Sequence, residues 1–179
     1  MLKTIRKILK VGLVSKPIDK KQKLTADEFE VFGNRCQEII KAKFKSSLAI
    51  RHIDAGSCNG CELEIHALNN AIYSIERFGI KFVASPRHAD LLLVTGPVAK
   101  HMAHALLTTY NAVPDPKLVI AVGNCGVNGG EFGCSYASLG SVNKVIPVDA
   151  AIHGCPPSPL TILKGILTIL ERMQEHAKK

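Results

Sequence analysis

Apolar and polar positions follow two rhythms along this chain. Residues 2 to 10 set Leu2, Ile5, Ile8 and Leu9 three and four apart with basic residues between them, the spacing of a short amphipathic helix. Thr25 and Glu28 form a capping-box pair ahead of FEVFGNRCQEIIKAKF, which predicts a second helix despite Gly33. Beyond residue 46 the rhythm changes to short β-rich runs. They predict strands near 48–53, 80–84, 91–95, 117–122 and 144–148, with helices near 62–77, 99–110 and 159–174. Ser158 and Pro159 read as the N-cap and first position of the last helix.

Several of these strands are almost continuously apolar, as strands buried on both faces are, and they alternate with helices. The expected architecture is an α/β fold with a doubly wound, mainly parallel sheet of the flavodoxin-like kind. Two units are expected: a basic amphipathic arm and helix over 1–46, and an α/β domain over 47–179 that carries the candidate chemistry. With 179 residues, 46% of them hydrophobic, one substantial core is the natural outcome.

Charge separates the two units further. The net charge is +8, and residues 1 to 23 carry eight basic side chains against Asp19 alone. A basic arm on a nearly neutral body fits docking to an anionic lipid surface or an acidic membrane subunit. The arm lacks aromatic residues to stack on bases and the body shows no nucleic-acid module, so no nucleic-acid partner is expected. No apolar run approaches the length of a membrane span. The start resembles a signal peptide, but Lys10 interrupts its apolar region and no small-residue cleavage site follows, so a cytoplasmic location is expected.

In that compartment thiols stay reduced, and six cysteines call for metal or redox chemistry rather than disulfides. Cys58 and Cys61 follow the first strand, Cys125 follows the strand ending at Val122, and Cys155 follows the last strand. In open α/β sheets ligands bind beyond the carboxyl ends of the strands. Three cysteine-bearing loops should therefore meet at one rim, where four thiols could hold zinc or an iron-sulfur cluster. Zinc ribbons usually pair two CxxC knuckles; one CxxC and two isolated cysteines suit a cubane, with its separated irons, better. Gly56, Gly60, Gly123 and Gly126 flank these thiols and would let backbone amides approach sulfur. The glycines do not follow GxGxxG and no GK[ST] occurs, which speaks against nucleotide binding. A thioredoxin-like dithiol is the competitor for CNGC, but leaves Cys125 and Cys155 unexplained.

The other candidates have plainer readings. Cys36 sits in a helix as a small buried residue, and Cys134 is a substitute ligand of lower rank. His88 reads as a structural, hydrogen-bonded residue. His153 either donates to the site or faces solvent. Glu62 and Glu64 suit a first helical turn.

The blocks SCNGCELEI, ERFGIKFVASPRHADLLLVTGPV, PDPKLVIAVGNCGVNGG and VIPVDAAIHGCPPSP resemble the small iron-sulfur subunit of membrane-bound [NiFe]-hydrogenases of the formate hydrogenlyase and hydrogenase-4 type, a family homologous to the small cluster-bearing subunit of complex I (NADH:quinone oxidoreductase). The resemblance runs from about residue 46 to 170. It implies one [4Fe-4S] cluster on Cys58, Cys61, Cys125 and Cys155, no catalytic residue on this chain, and a role in an oxidoreductase complex. The implied partners are a hydrogenase large subunit, a ferredoxin-like iron-sulfur subunit, and a membrane subunit or lipid surface reached by the N-terminal arm. The implied location is peripheral, on the cytoplasmic face of the cell membrane. Gly60 stands where the complex I branch has an adjacent cysteine, so CNGC is similar to the hydrogenase branch. No twin-arginine leader or C-terminal cluster extension is expected. The alternatives are a complex I-like subunit passing electrons to quinone and, of another class, a module stapled by zinc on the same four cysteines.

Overall fold

The computed structural model describes residues 21–176, so the amphipathic helix expected over 2–10 lies outside the described residues. Helix α1 (Lys21–Phe44) leads into strand β1 (Leu48–Asp54), helix α2 (Gly60–Ala67) and strand β2 (Ile80–Phe82). Strands β3 (Leu91–Thr95) and β4 (Val98–Ala99) precede helix α3 (Lys100–Ala112). Strand β5 (Leu118–Val122), the short helix α4 (Gly123–Asn128), and strands β6 (Ser138–Gly140) and β7 (Ala150–Ile152) follow, and helix α5 (Pro159–His176) closes the chain.

Five strands form one sheet in the order β2-β1-β3-β5-β7, and all its pairings are parallel. This is the flavodoxin-like order, with the direction of winding reversing between β1 and β3. Leu91 and Leu93 of β3 point into a core built with α1, α2 and α5, which includes Phe29, Ile39, Ile166 and Leu170. Leu92 and Val94 point into a second core with Leu106 of α3, Val142 and Ile146. Burial on both faces explains why β3 reads LLLVT without a polar break. Leu93 is fully enclosed, and Leu93→Ala is expected to cost about 2–5 kcal/mol of unfolding free energy, read from the urea midpoint of the full chain.

Local chemistry moves several boundaries. Helix α1 begins at Lys21, so Thr25 and Glu28 lie within it; Lys, Gln and Leu are good helix formers and carry the helix past the capping pair. Glu28 instead pairs with Lys164 of α5 at 3.3 Å. Cys36 is fully buried in the α1 side of the core, as its plain reading holds.

The helix expected over 62–77 stops at Ala67, and a 3-10 turn covers Ile75–Phe78. Between them Asn70 Oδ1 accepts from the amides of Ile72 and Tyr73, both at 2.9 Å, an Asx turn that competes with helical bonding. The strand expected over 144–148 is misplaced: Val142–Lys144 is a 3-10 turn and the fifth strand of the sheet is Ala150–Ile152. Pro147 has no amide for a ladder, whereas Asp149 aligns the entering strand, its Oδ2 accepting from Val119 N at 2.8 Å. The expected cap of the closing helix is present, with Ser158 Oγ accepting from Thr161 N at 3.3 Å. Among the described residues no helix is long and apolar enough to cross a membrane.

Candidate functional site

Parallel strands end on the same rim, and β1, β5 and β7 deliver the cysteine-bearing segments there. Cys58 lies in the turn after β1, Cys61 in the first turn of α2, Cys125 in α4 and Cys155 in the loop before α5. Cys58 and Cys155 are exposed, Cys125 is half-buried and Cys61 is buried.

Hydrogen bonds hold these segments in place. Asn124 N donates to Gly154 O at 2.8 Å, and Gly154 N donates to Asn124 Oδ1 at 3.0 Å. This two-way tie joins the residues immediately before Cys125 and Cys155. The turn carrying Cys58 is wound around Asp54, whose Oδ1 accepts from the amides of Gly56 and Ser57, both at 2.7 Å. Asn59, in the left-handed region at φ 70°, then turns the chain into α2.

The flanking glycines have unequal roles. Gly123 has φ +79°, and a Cβ there would lie 2.6 Å from Cys61 Sγ. A Cβ on Gly130 would lie 2.6 Å from Cys125 Sγ. Gly56, at φ +119°, faces Ala99 and Pro97 rather than sulfur. A Cβ on Gly60 would meet Cys58 Sγ at 3.6 Å and Pro156 at 3.9 Å, ordinary contacts that place the Cys58 turn beside the Cys155-Pro156 loop. Gly126 is packed under the sheet, with Val94 O 3.4 Å from its would-be Cβ.

Electrostatics couples the four thiols. The Cys61 thiol is pushed up to about 12 by burial, then by the carboxylate of Glu62 and the charges of Cys125, Cys58 and Cys155. The Cys125 thiol is raised by burial and by Cys155 and Cys58, against the hydrogen bond it receives from the Glu131 amide. Burial first, and like charge second, keep Cys61 and Cys125 protonated when left to themselves; a cationic group beside them would reverse that balance. Among the described residues no three or more His, Cys, Asp or Glu side chains are grouped so as to hold a metal ion. What the four thiols share is a rim and mutual electrostatic influence, and glycine keeps space free beside two of them, Cys61 and Cys125.

Cys134 is exposed in the loop between α4 and β6. His153 and His88 are both exposed, the latter in the 3-10 turn Pro86–His88.

Sequence reasoning placed Glu62 in a first helical turn and missed its network. The side chain is only 6% exposed. Ser57 Oγ donates to its Oε2 at 2.5 Å while accepting from Asn59 N at 3.0 Å, and the Thr95 hydroxyl donates to its Oε1. His52 Nε2 stands 3.0 Å from Thr95 Oγ1 and 3.7 Å from Glu62 Oε1. Burial works to raise this carboxyl, but the bonds from His52, Ser57 and Thr95 outweigh it and hold it down to about 2. The available signal was the polar pair Arg51-His52 inside the otherwise apolar run LAIRHI.

Fold and rim together define a doubly wound α/β protein with thiols at its strand ends. Residues 58–169 match the family described as NADH ubiquinone oxidoreductase, 20 Kd subunit, and the chain belongs to that family of oxidoreductase subunits. It is 44% identical over 138 residues to formate hydrogenlyase subunit 7 of Escherichia coli (strain K12), a match covering 76% of this chain and 54% of that protein. The chain thus spans about half the length of that relative. It is 46% identical to a probable membrane-bound hydrogenase subunit, mbhJ, of Pyrococcus furiosus, over 71% of this chain and 76% of that one. A solved structure of the membrane-bound sulfane sulfur reductase, an archaeal respiratory membrane complex, contains a chain with a TM-score of 0.66 and 38% identity, covering 76% of this chain and 75% of its own length.

Proposed function

We propose that this chain is an electron-transfer subunit of a membrane-associated [NiFe]-hydrogenase complex, holding one [4Fe-4S] cluster on Cys58, Cys61, Cys125 and Cys155. The observation that carries the reading is the Asn124–Gly154 tie together with Cys61 Sγ lying against Gly123, which draws three cysteine loops to one rim. The donor set fits the group: four soft thiol ligands on three segments that meet at one rim, with Gly123 and Gly130 leaving room beside two of the sulfurs. When bound, such a cluster supplies one-electron transfer.

The protein's own part is to position and tune. Gly123 and Gly130 keep space for Sγ atoms, and the exposed Cys58 and Cys155 bring the rim to the surface where a partner can approach within electron-transfer distance. A large subunit bearing the nickel-iron site fits one side of this exchange and a ferredoxin-like subunit the other. The basic N-terminal arm, through Leu2, Ile5, Ile8 and Leu9, would meet a membrane subunit or the lipid surface from the cytoplasmic face. The hydrogenase branch is favoured over a quinone-reducing one by the two-residue spacing in CNGC and by the names of the two bacterial and archaeal relatives above.

Anaerobic reconstitution of the full chain with iron and sulfide tests this. The expected product holds about four irons and four acid-labile sulfides per chain, the content of a [4Fe-4S] group. Reduction should produce a low-temperature EPR signal, and each single Cys→Ser change at 58, 61, 125 or 155 should alter or remove it. Bound zinc without sulfide would establish the stapled-module alternative instead.

A further inference from the structure

Where β2 ends at Phe82, the edge of β1 opens onto a cavity of about 180 Å3. Its polar lining consists of Arg51, His52, His66 and Asn69, and Ile65 and Phe82 supply apolar wall. Arg51 Nε is enclosed and has no hydrogen-bond partner among the described residues. An unmet buried donor costs about 1–3 kcal/mol, and more when charged, so the fold alone gives no reason for this arginine.

Three of these side chains, Arg51, His66 and Asn69, have donors to spare, whereas His52 Nε2 is held by Thr95 and Glu62. The guanidinium carries five N–H groups, each imidazole carries at least one in either tautomer, and the Asn69 amide carries two. The nearby acid, Glu62, is engaged by Ser57, Thr95 and His52 and does not itself line the cavity. A fixed positive charge with surplus donors, in a space too small for a nucleotide, matches one ligand chemistry.

We propose that this cavity binds a small oxoanion, a carboxylate or a phosphate, on Arg51 with help from His66 and Asn69. His66 and Asn69 are exposed at the mouth, so the anion can arrive either as a free ion or as the acidic side chain of an adjoining chain. The proposal does not rest on the cluster reading.

Calorimetric titration of the full chain at fixed ionic strength tests it, with inorganic phosphate in one arm and a glutamate blocked at both backbone ends in the other. Saturable binding is expected in at least one arm. Tighter binding of phosphate assigns the site to a free ion, and tighter binding of the blocked glutamate assigns it to a partner's side chain. Arg51→Gln should weaken binding about tenfold or more, since it removes the charge-assisted bonds. His66→Gln, at the exposed mouth, should weaken it less and carries the test if the Arg51 variant does not fold. Lys41→Gln removes the same charge from the exposed surface of α1 and should change nothing. Absence of saturable binding in both arms, or equal weakening by Arg51→Gln and Lys41→Gln, would overturn the proposal.

Discussion

Gly123→Ala is expected to leave the full chain nearly free of iron after anaerobic reconstitution and to destabilise it by about 2–4 kcal/mol, from left-handed backbone strain and overpacking together. Two independent costs meet at this residue. Its φ of +79° is a conformation that side chains with a Cβ adopt only under strain. The new methyl would also stand 2.6 Å from Cys61 Sγ, far inside contact distance, and Cys61 is itself buried against the core and cannot retreat into solvent. The thiol would have to rotate away from the rim, breaking the ligand set. Gly60→Ala is the control, because a Cβ there meets Cys58 Sγ at an ordinary 3.6 Å in the first turn of α2. It should keep its iron and lose no stability. Iron content and urea midpoints of the two variants, measured side by side, decide the matter. Full iron loading in Gly123→Ala would mean that Cys61 does not need its present position, and the proposed ligand set would fail with it.

The contrast between Gly123 and Gly60 also marks what sequence could reveal here. Both looked alike as glycines beside cysteines, and the sign of φ that separates them is a property of the turn. The strands β1, β3 and β5 were legible because burial on both sides of a parallel sheet leaves runs such as LLLVT with no polar interruption. Strand β7 was not, because it is only three residues long, two of them alanine, and its register is set by an acid, Asp149, bonding to a strand 30 positions earlier. KVIPV carried the stronger apolar signal but contains a proline, which has no amide to donate to a ladder. The pair β4 and β6 was invisible for a related reason: its two short strands pair antiparallel although a helix, a strand and a second helix separate them in the chain, and neither is long enough to show a period. The cysteine-bearing segments were placed on the correct rim by one rule of parallel sheets, without any knowledge of side-chain position. The tie from Asn124 to Gly154 needed coordinates, since nothing in the spacing of an asparagine and a glycine 30 residues apart announces a reciprocal hydrogen bond.

Replacing Glu62 should produce the largest pH-dependent effect among the described side chains. Its carboxyl lies at about 2 in the folded chain against an ordinary 4.5. Because the folded value is the lower one, ionised Glu62 stabilises the fold in full above about pH 4.5, and that contribution fades as pH falls from there through 2. Near neutral pH it is on the order of 3 kcal/mol, given about 1.4 kcal/mol per pKa unit. Glu62→Ala should cost about 2–4 kcal/mol there, because Ser57, Thr95 and His52 lose a shared acceptor in a buried place. Glu62→Gln keeps the shape and one carbonyl acceptor but lacks the charge, so it isolates the ionic part. The stability difference between wild type and Glu62→Gln should be greatest above pH 4.5 and shrink steadily toward pH 2, whereas other carboxylates, present in both proteins, cancel. A difference that stays constant across that window would show that packing or the amide's own donors, rather than ionised Glu62, account for the loss. The same carboxylate raises the Cys61 thiol, so Glu62→Gln should also increase the rate at which the apo chain's thiols react with a small alkylating reagent at neutral pH. The two readouts together separate a carboxylate that merely fastens the β1–α2 turn from one whose charge is also felt at the cysteine rim.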